Sequence, residues 1–450
     1  MLDLINPKHV QAKCDGSSRR DFMKIGTLGL FGGLSLPQLL RAQEEARRAG
    51  KSVKQKSIIL LFLDGGASHI ETFDPKMDAP KEYRSLFGSI QTSIPGLHFG
   101  SLIPKFARLA KEFSFVKSFT HDDGDHGGAT HWLKTGYPWP PEFKGKAPIV
   151  AQTHPSIGSI VARYRQPLHP VTGVPTYVRV QSNHGGYPGD DAVWLGHENN
   201  PFRVRVGGGT RNPMLDNMGL KVEPSRLEDR RSLLQSFDTF ERKLDHTGMM
   251  KGMDAYQQQA VNVILGKAKE AFDISKEDPK LREKYGKGLG EELLLARRLC
   301  EAGAGFVTLN NGYWDHHGGI IPGMKSLCPP LDQALEAYVE DVKARGLEND
   351  ILLIVTGEFG RTPRINGGPG RDHWAGLNPL AFFGGGLKMG QVIGDSDAKA
   401  AYPRIRPIYP VDFMATIFKV LDIPLDLQYV HPSGRPRYMV EEGKPIEELL

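Results

Sequence analysis

Short, continuous apolar runs, each ending in a polar cluster, set the pattern of this chain. Residues 58–63 end in Asp64-Gly65-Gly66, and residues 113–119 end in Thr120-His121-Asp122-Asp123-Gly124-Asp125-His126. Residues 306–309 lead to Asp315-His316-His317, residues 351–356 lead to Glu358, and residues 380–383 lead to Gly384-Gly385-Gly386. An apolar run without polar alternation reads as a strand buried on both faces, the habit of parallel sheets. Helical spacing lies between the runs. Leu331, Leu335, Tyr338, Val339 and Val342 share one helical face, and Gly346 stops that helix just before the run at 351. This helix-then-strand order predicts an α/β fold, with a mainly parallel central sheet and helices on both faces. Residues 183–225 lack a period and are rich in Gly, Asn and Pro, whereas residues 226–302 are charged and helical in pattern. The span of about 183–302 is therefore expected to form an inserted loop-and-helix cap.

Composition narrows the class. Of 450 residues, 39% are hydrophobic and 24% charged, which excludes wholesale disorder. Net charge is +5, but residues 1–42 hold six basic and three acidic side chains, so the remainder is close to neutral. No basic stripe with interleaved aromatics follows, and a nucleic-acid partner is not expected. Three cysteines, Cys14, Cys300 and Cys328, suit neither a disulfide scaffold nor a thiolate zinc site, although a bridge between Cys300 and Cys328 stays open.

Ser18-Arg19-Arg20-Asp21-Phe22-Met23-Lys24 precedes sixteen uncharged residues, 25–40, and then Arg41-Ala42-Gln43. This order of basic, apolar and small residues resembles a twin-arginine export signal, and sixteen residues fall short of a bilayer core of about 30 Å. Residues 1–42 are expected to be the signal and 43–450 the mature domain, exported by the twin-arginine machinery to the periplasm or beyond. No later stretch is apolar enough to span a membrane, so no stable span is expected after cleavage.

In an open parallel sheet, ligands bind beyond the carboxyl ends of the strands. Four polar clusters follow four predicted strands and should converge there. Singly, each acid has a dull role: Asp64 a helix cap, Asp315 a turn, Glu358 a pair with Arg361. Together, packed carboxylates repel unless a cation or protons neutralise them. Asp64, Asp315, His317, Glu358 and His373 offer three carboxylates and two imidazoles, a mixed donor set suited to one or two divalent ions, zinc or manganese. Arg361 either binds an anionic ester oxygen or holds its neighbours in place. His69 and Glu71 follow the Asp64 turn, and His184 and His197 lie in the glycine-rich region, where substrate contact is open. Gly384-Gly385-Gly386 lacks the lysine of a phosphate loop and reads as a tight turn.

The segments Leu63-Asp64-Gly65-Gly66-Ala67-Ser68-His69, Thr72-Phe73-Asp74-Pro75-Lys76, Trp314-Asp315-His316-His317, 356–363 (TGEFGRTP) and Gly370-Arg371-Asp372-His373-Trp374 resemble the domain-of-unknown-function family 1501. That family resembles the alkaline phosphatase and sulfatase superfamily, which implies an alkaline phosphatase-like fold, metal ions and hydrolysis of a phosphate or sulfate ester on a small molecule or polymer. The resemblance places Asp64 and Glu358 in one metal site and Asp315, His317 and His373 in another. Phe359 stands where a histidine ligand is usual, unless His121, Asp125 or His126 substitutes. Leu133-Lys134-Thr135-Gly136 is similar to the end of the sulfatase signature and puts His126 at the position of the nucleophile, with no hydroxyl there. Attack by an activated water is then expected, with His126 itself, Thr120 or Thr130 as other routes. The rivals are an eroded hydrolase that keeps a metal and binds an anionic or sugar ligand, and a mutase resembling cofactor-independent phosphoglycerate mutase.

Overall fold

The computed structural model describes residues 55–143, 152–181, 189–206 and 268–450. The expected signal at 1–42 and most of the expected cap lie outside these residues. No helix among the described residues is long and apolar enough to cross a membrane.

Eight strands form one sheet: β1 (Ser57–Leu63), β2 (Ser114–Val116), β3 (Tyr177–Gln181), β4 (Phe202–Arg205), β5 (Phe306–Asn311), β6 (Ile351–Thr356), β7 (Leu380–Gly384) and β8 (Val392–Ile393). Their order is β8-β2-β7-β6-β1-β5-β3-β4. All neighbours run parallel except β7, which is antiparallel to both β6 and β2. The mainly parallel sheet expected from the apolar runs is present. The run at 113–119 yields only a three-residue strand, and Phe119 continues it as an isolated bridge to Ile408.

Alternation along β1 shows why the runs are apolar throughout. Ile59, Leu61 and Leu63 enter one core, while Ile58, Leu60 and Phe62 enter the other. Helices α1 (His126–Thr135), α2 (Ile157–Arg165) and α5 (Pro410–Val420) cover the second core, and α3 (Leu289–Glu301) and α4 (Ile320–Ala344) cover the first. Helix α4 begins eleven residues before the periodic stretch at 331 and runs through Pro329 and Pro330. It ends where Gly346, at φ +63°, donates its N–H to the Lys343 carbonyl.

The described parts of 183–302 do not stand apart from the sheet. Strand β4 pairs with β3 as an edge strand, and α3 packs on β5 and β1. The charged helical pattern concealed this, because the polar face of α3 is spent on ion pairs. Arg297, fully buried, reaches Glu277 at 3.0 Å, Glu301 at 2.7 Å and Asp341 at 2.9 Å. Cys300 and Cys328 are buried free thiols and form no bridge.

Glu292 lies on the same helix with its Oε2 buried and without a hydrogen-bond partner. Burial first, and the charge of Glu291 second, push its carboxyl up to about 8. The folded state then holds a proton that the unfolded chain releases at ordinary glutamate pKa, so stability falls as pH rises from about 4.5 to about 8. The loss is about 1.4 kcal/mol per pH unit at most. Thermal melts of Glu292→Gln against wild type should show little difference near the acid end of that window and a clear stabilisation of the variant at the alkaline end; equal differences throughout would remove this assignment.

Candidate functional site: an acid and imidazole cluster at the carboxyl edge of the sheet

Three parallel strands deliver the cluster. Strand β1 ends at Leu63 and is followed by Asp64, β5 leads to the loop carrying Asp315 and His317, and β6 leads to Glu358. The Asp64 N–H donates to Asn311 O at 2.8 Å, and Trp314 N–H returns to Asp64 O at 3.2 Å, which ties the first two loops together. Close approach demands the glycines that follow. A Cβ on Gly65, at φ +105°, would meet Asp315 N at 2.8 Å, and one on Gly66, at φ +75°, would meet the Phe359 ring at 2.5 Å. Two short antiparallel strands, Gly360–Arg361 and His373–Trp374, then set His373 opposite Arg361, bringing the last imidazole back to the loop after β6. The fourth contribution is His126, the first residue of α1, whose helix is capped by the Asp125 carboxylate accepting from Gly127 and Gly128 N–H.

All five expected ligands and His126 meet at this edge, in two halves. In the outer half, Asp315 Oδ1 lies 3.1 Å from His317 Nε2 and 3.2 Å from His373 Nε2, and the two nitrogens are 2.9 Å apart. The other nitrogen of each ring faces an acceptor: His317 Nδ1 is 2.7 Å from Asp372 Oδ1, and His373 Nδ1 is 2.8 Å from Gly124 O. Each Nδ1 therefore carries a proton, so in a neutral ring Nε2 presents a lone pair to the other imidazole and to Asp315. Three acceptor atoms at such distances repel unless a cation or added protons lie between them. Ligands about 2.0–2.1 Å from one ion sit roughly 3–3.5 Å apart, close to this spacing.

The inner half holds Asp64 and Glu358, both buried. Glu358 accepts from Gly65 N–H at 2.9 and 3.2 Å and from His126 Nδ1–H at 2.7 Å. Asp64 keeps Oδ1 buried without a hydrogen-bond partner. Burial, then the charge of Glu358, push the Asp64 carboxyl up to about 7 against the pull of Lys134, Arg179 and His126. His126 spans the halves, its Nε2 3.2 Å from Asp315 Oδ2. Burial opposes its charge, yet the bonds to Asp315 and Glu358 prevail and raise its pKa to about 9. Among the described residues, His126, Asp315 and His373 form the group compact enough for one ion.

Arg361 spends its donors within the protein. Its guanidinium is buried and donates to Gly66 O at 2.8 Å, Arg371 O at 3.1 Å, Asp315 Oδ1 at 2.6 Å and Gly65 O. It clamps the Asp64 turn to Asp315, not to Glu358, because two carbonyls of that turn lie nearer its fork than any open surface. His69, buried, supports the same loop, with Nε2 2.9 Å from Ala400 O and Nδ1 accepting from Arg361 N–H. Glu71 pairs in full burial with Arg371 at 3.0 Å, outside the cluster. Of the three residues expected as substitutes beside Phe359, His126 alone enters the cluster; His121 binds the Glu358 carbonyl at 2.7 Å, and Asp125 caps α1. Phe359 instead packs its ring 4.5 Å from His373 and 5.1 Å from His126. Thr120 Oγ1 donates to Gly376 O, while Thr130 Oγ1 is buried without a partner. His197 contacts Asn200, and His184 lies outside the described residues. Gly384, Gly385 and Gly386 all have positive φ and turn at the opposite edge, since β7 is antiparallel.

Sequence reading missed the support behind Asp64. Lys134 Nζ lies 3.1 Å from Asp190 and 3.4 Å from Asn310 Oδ1, and Arg179 pairs with Asp190 at 3.0 Å. The available signal was the spacing of His126, Thr130 and Lys134, which places them on one face of α1.

Fold and cluster together define an α/β protein with a cation-suited centre at the carboxyl edge of a mainly parallel sheet. The chain belongs to the family described as protein of unknown function (DUF1501), which matches residues 55–450. No curated protein matches it. Among solved structures it is similar to the PsFucS1 sulfatase from Pseudoalteromonas sp., at 13% identity and TM-score 0.40, covering 88% of this chain and 73% of that one. The alkaline phosphatase from the Antarctic bacterium TAB5 shows 13% identity and TM-score 0.39, with 83% and 100% covered. The phosphonate monoester hydrolase SpPMH from Silicibacter pomeroyi shows 10% identity and TM-score 0.39, with 88% and 76% covered.

Two outcomes follow from the geometry. Arg361→Met strands the Gly65, Gly66 and Arg371 carbonyls and loosens Asp315, and should cost about 2–4 kcal/mol in denaturant unfolding; a change within error would show the clamp to be idle. Asp64→Asn removes a charge that burial first and Glu358 second disfavour, and should stabilise the metal-free protein by about 1–3 kcal/mol above pH 7; destabilisation there would contradict the charge assignment.

Proposed function

We propose that this chain is an exported, metal-dependent hydrolase of a phosphate or sulfate ester, on a small molecule or an extracellular polymer. One observation carries the reading: the lone pairs of His317 and His373, oriented by Asp372 and Gly124, converge on Asp315 Oδ1. Two imidazoles and a carboxylate are a donor set for zinc or manganese. A bound ion would polarise the ester and raise the acidity of water beside it.

The chain's own residues supply the rest. Asp372 and the Gly124 carbonyl fix both rings, and Arg361 fixes Asp315. His126, held at Nδ1 by Glu358, keeps Nε2 at the open side of Asp315, where it passes a proton during attack by water. Phe359 packs on the His126 and His373 rings and keeps water from their apolar faces. The arginine pair and apolar stretch of residues 18–40 support export by the twin-arginine machinery.

A second reading has specific support. Phe359 replaces a ligand and Arg361 is committed to carbonyls, as in an eroded hydrolase that binds an anionic or sugar ligand around its metal. Purified full-length protein, tested with aryl phosphates and aryl sulfates, separates the two. Hydrolysis should be abolished by Asp315→Asn together with the metal, and lowered about 10²–10⁴-fold by His126→Ala with metal retained. Metal retention without turnover of either ester class would select the binding protein, and absence of bound metal would reject both.

A further inference from the structure

Two buried arginines lie at the short strand pair that carries His373, and they hold different loops. Arg361 grips the Asp64 turn and Asp315, whereas Arg371 reaches a second loop. Its Nε donates to Glu71 Oε1 at 3.0 Å, Nη1 to the Thr362 carbonyl at 3.1 Å and to that of Pro363, and Nη2 to the Arg84 carbonyl at 3.1 Å and the Tyr83 carbonyl at 3.5 Å. All five N–H groups of the guanidinium are thereby used. Glu71, as fully buried as its partner, has its other oxygen filled by the Ser85 hydroxyl at 2.7 Å and the Leu86 N–H at 3.0 Å. The backbone of Arg371 is fixed as well: its N–H donates to His316 O at 2.9 Å, and its carbonyl accepts from Arg361 Nη1 at 3.1 Å. Asp315 and His317 stand on either side of His316, and the residues directly after Arg371 are Asp372, which orients His317, and His373 itself.

We infer that the buried Glu71–Arg371 pair positions the outer half: it sets the affinity of Asp315, His317 and His373 for their cation, and the bound cation in turn steadies the loop at residues 83–86. The inference rests on the metal-dependent reading above. A buried ion pair is a weak source of stability, because desolvating both charges offsets their attraction. What this pair supplies is a single geometry, since a planar guanidinium with every donor engaged cannot slide without losing several bonds at once. Any shift of Arg371 would carry Asp372 and His373 with it and pull on His316 between the other two ligands. Coupling of this kind is reciprocal, so an ion that gains from the pair must also tighten it. Glu71 acts only through Arg371 and is a positioning residue.

Zinc affinity and amide exchange test the two directions. The full chain and Glu71→Gln are titrated with zinc against a chromogenic chelator, at a temperature where circular dichroism shows both folded. The variant should bind zinc about tenfold more weakly or worse; a merely structural role would lower its melting temperature and leave the affinity of the folded protein unchanged. In wild type, zinc should slow hydrogen exchange several-fold at the Leu86 N–H, which donates to Glu71, and leave it unchanged in the distant strand pair Gln428–Val430 and Pro436–Tyr438. If Glu71→Gln fails to fold, the exchange measurement on wild type decides. Equal zinc affinity in folded Glu71→Gln, or Leu86 exchange that is the same with and without bound zinc, would overturn the inference and leave metal dependence standing. No zinc binding by wild type would overturn the inference and the hydrolase reading together.

Discussion

The arrangement depends on one constraint: Asp315 Oδ1, His317 Nε2 and His373 Nε2 are acceptors placed within 2.9–3.2 Å of one another. Hydrogen bonds on the far side of each ring hold the imidazoles in that orientation, so rotation cannot relieve the repulsion without breaking a bond to Asp372 or to the Gly124 carbonyl. Such a cluster persists only where a positive charge balances it. Part of that charge comes from the protein itself in both halves: Arg361 reaches Asp315 Oδ1 at 2.6 Å, and His126 lies between Asp315 and Glu358.

Sheet order turns this local demand into an architecture. Strands β6, β1 and β5 lie side by side and parallel, so their carboxyl ends release Glu358, Asp64 and Asp315 at one edge. Gly65 and Gly66 permit backbone contact that any side chain would block, and Arg361 stitches the resulting turn to Asp315. Strand β7 runs the other way and carries its three glycines to the far edge, away from the chemistry. Phe359 sets an apolar ring against the imidazoles of His126 and His373.

Much of this was legible in the amino-acid order because the decisive signals are local. Apolar runs without alternation announced the parallel strands, and each polar cluster directly after a run announced its place at the edge. What remained hidden is non-local. Arg361 was readable as an anion binder, but its fork faces carbonyls of a turn almost three hundred positions earlier in the chain. Asp190 and Arg179 sit in segments with no motif, and only the register of β3 beside β5 brings them behind Asp64. The charged stretch before 302 looked like a solvated cover, yet α3 buries its arginine among acids from two neighbouring elements. Tertiary pairing, invisible to periodicity, decided each of these cases.

The most direct test is a crystal of the zinc-loaded protein with diffraction recorded above and below the zinc absorption edge. The account predicts an anomalous peak bounded by Asp315, His317 and His373, with His126 still in contact with Glu358. An anomalous map without a peak between those three side chains, with the imidazoles turned apart, would contradict it.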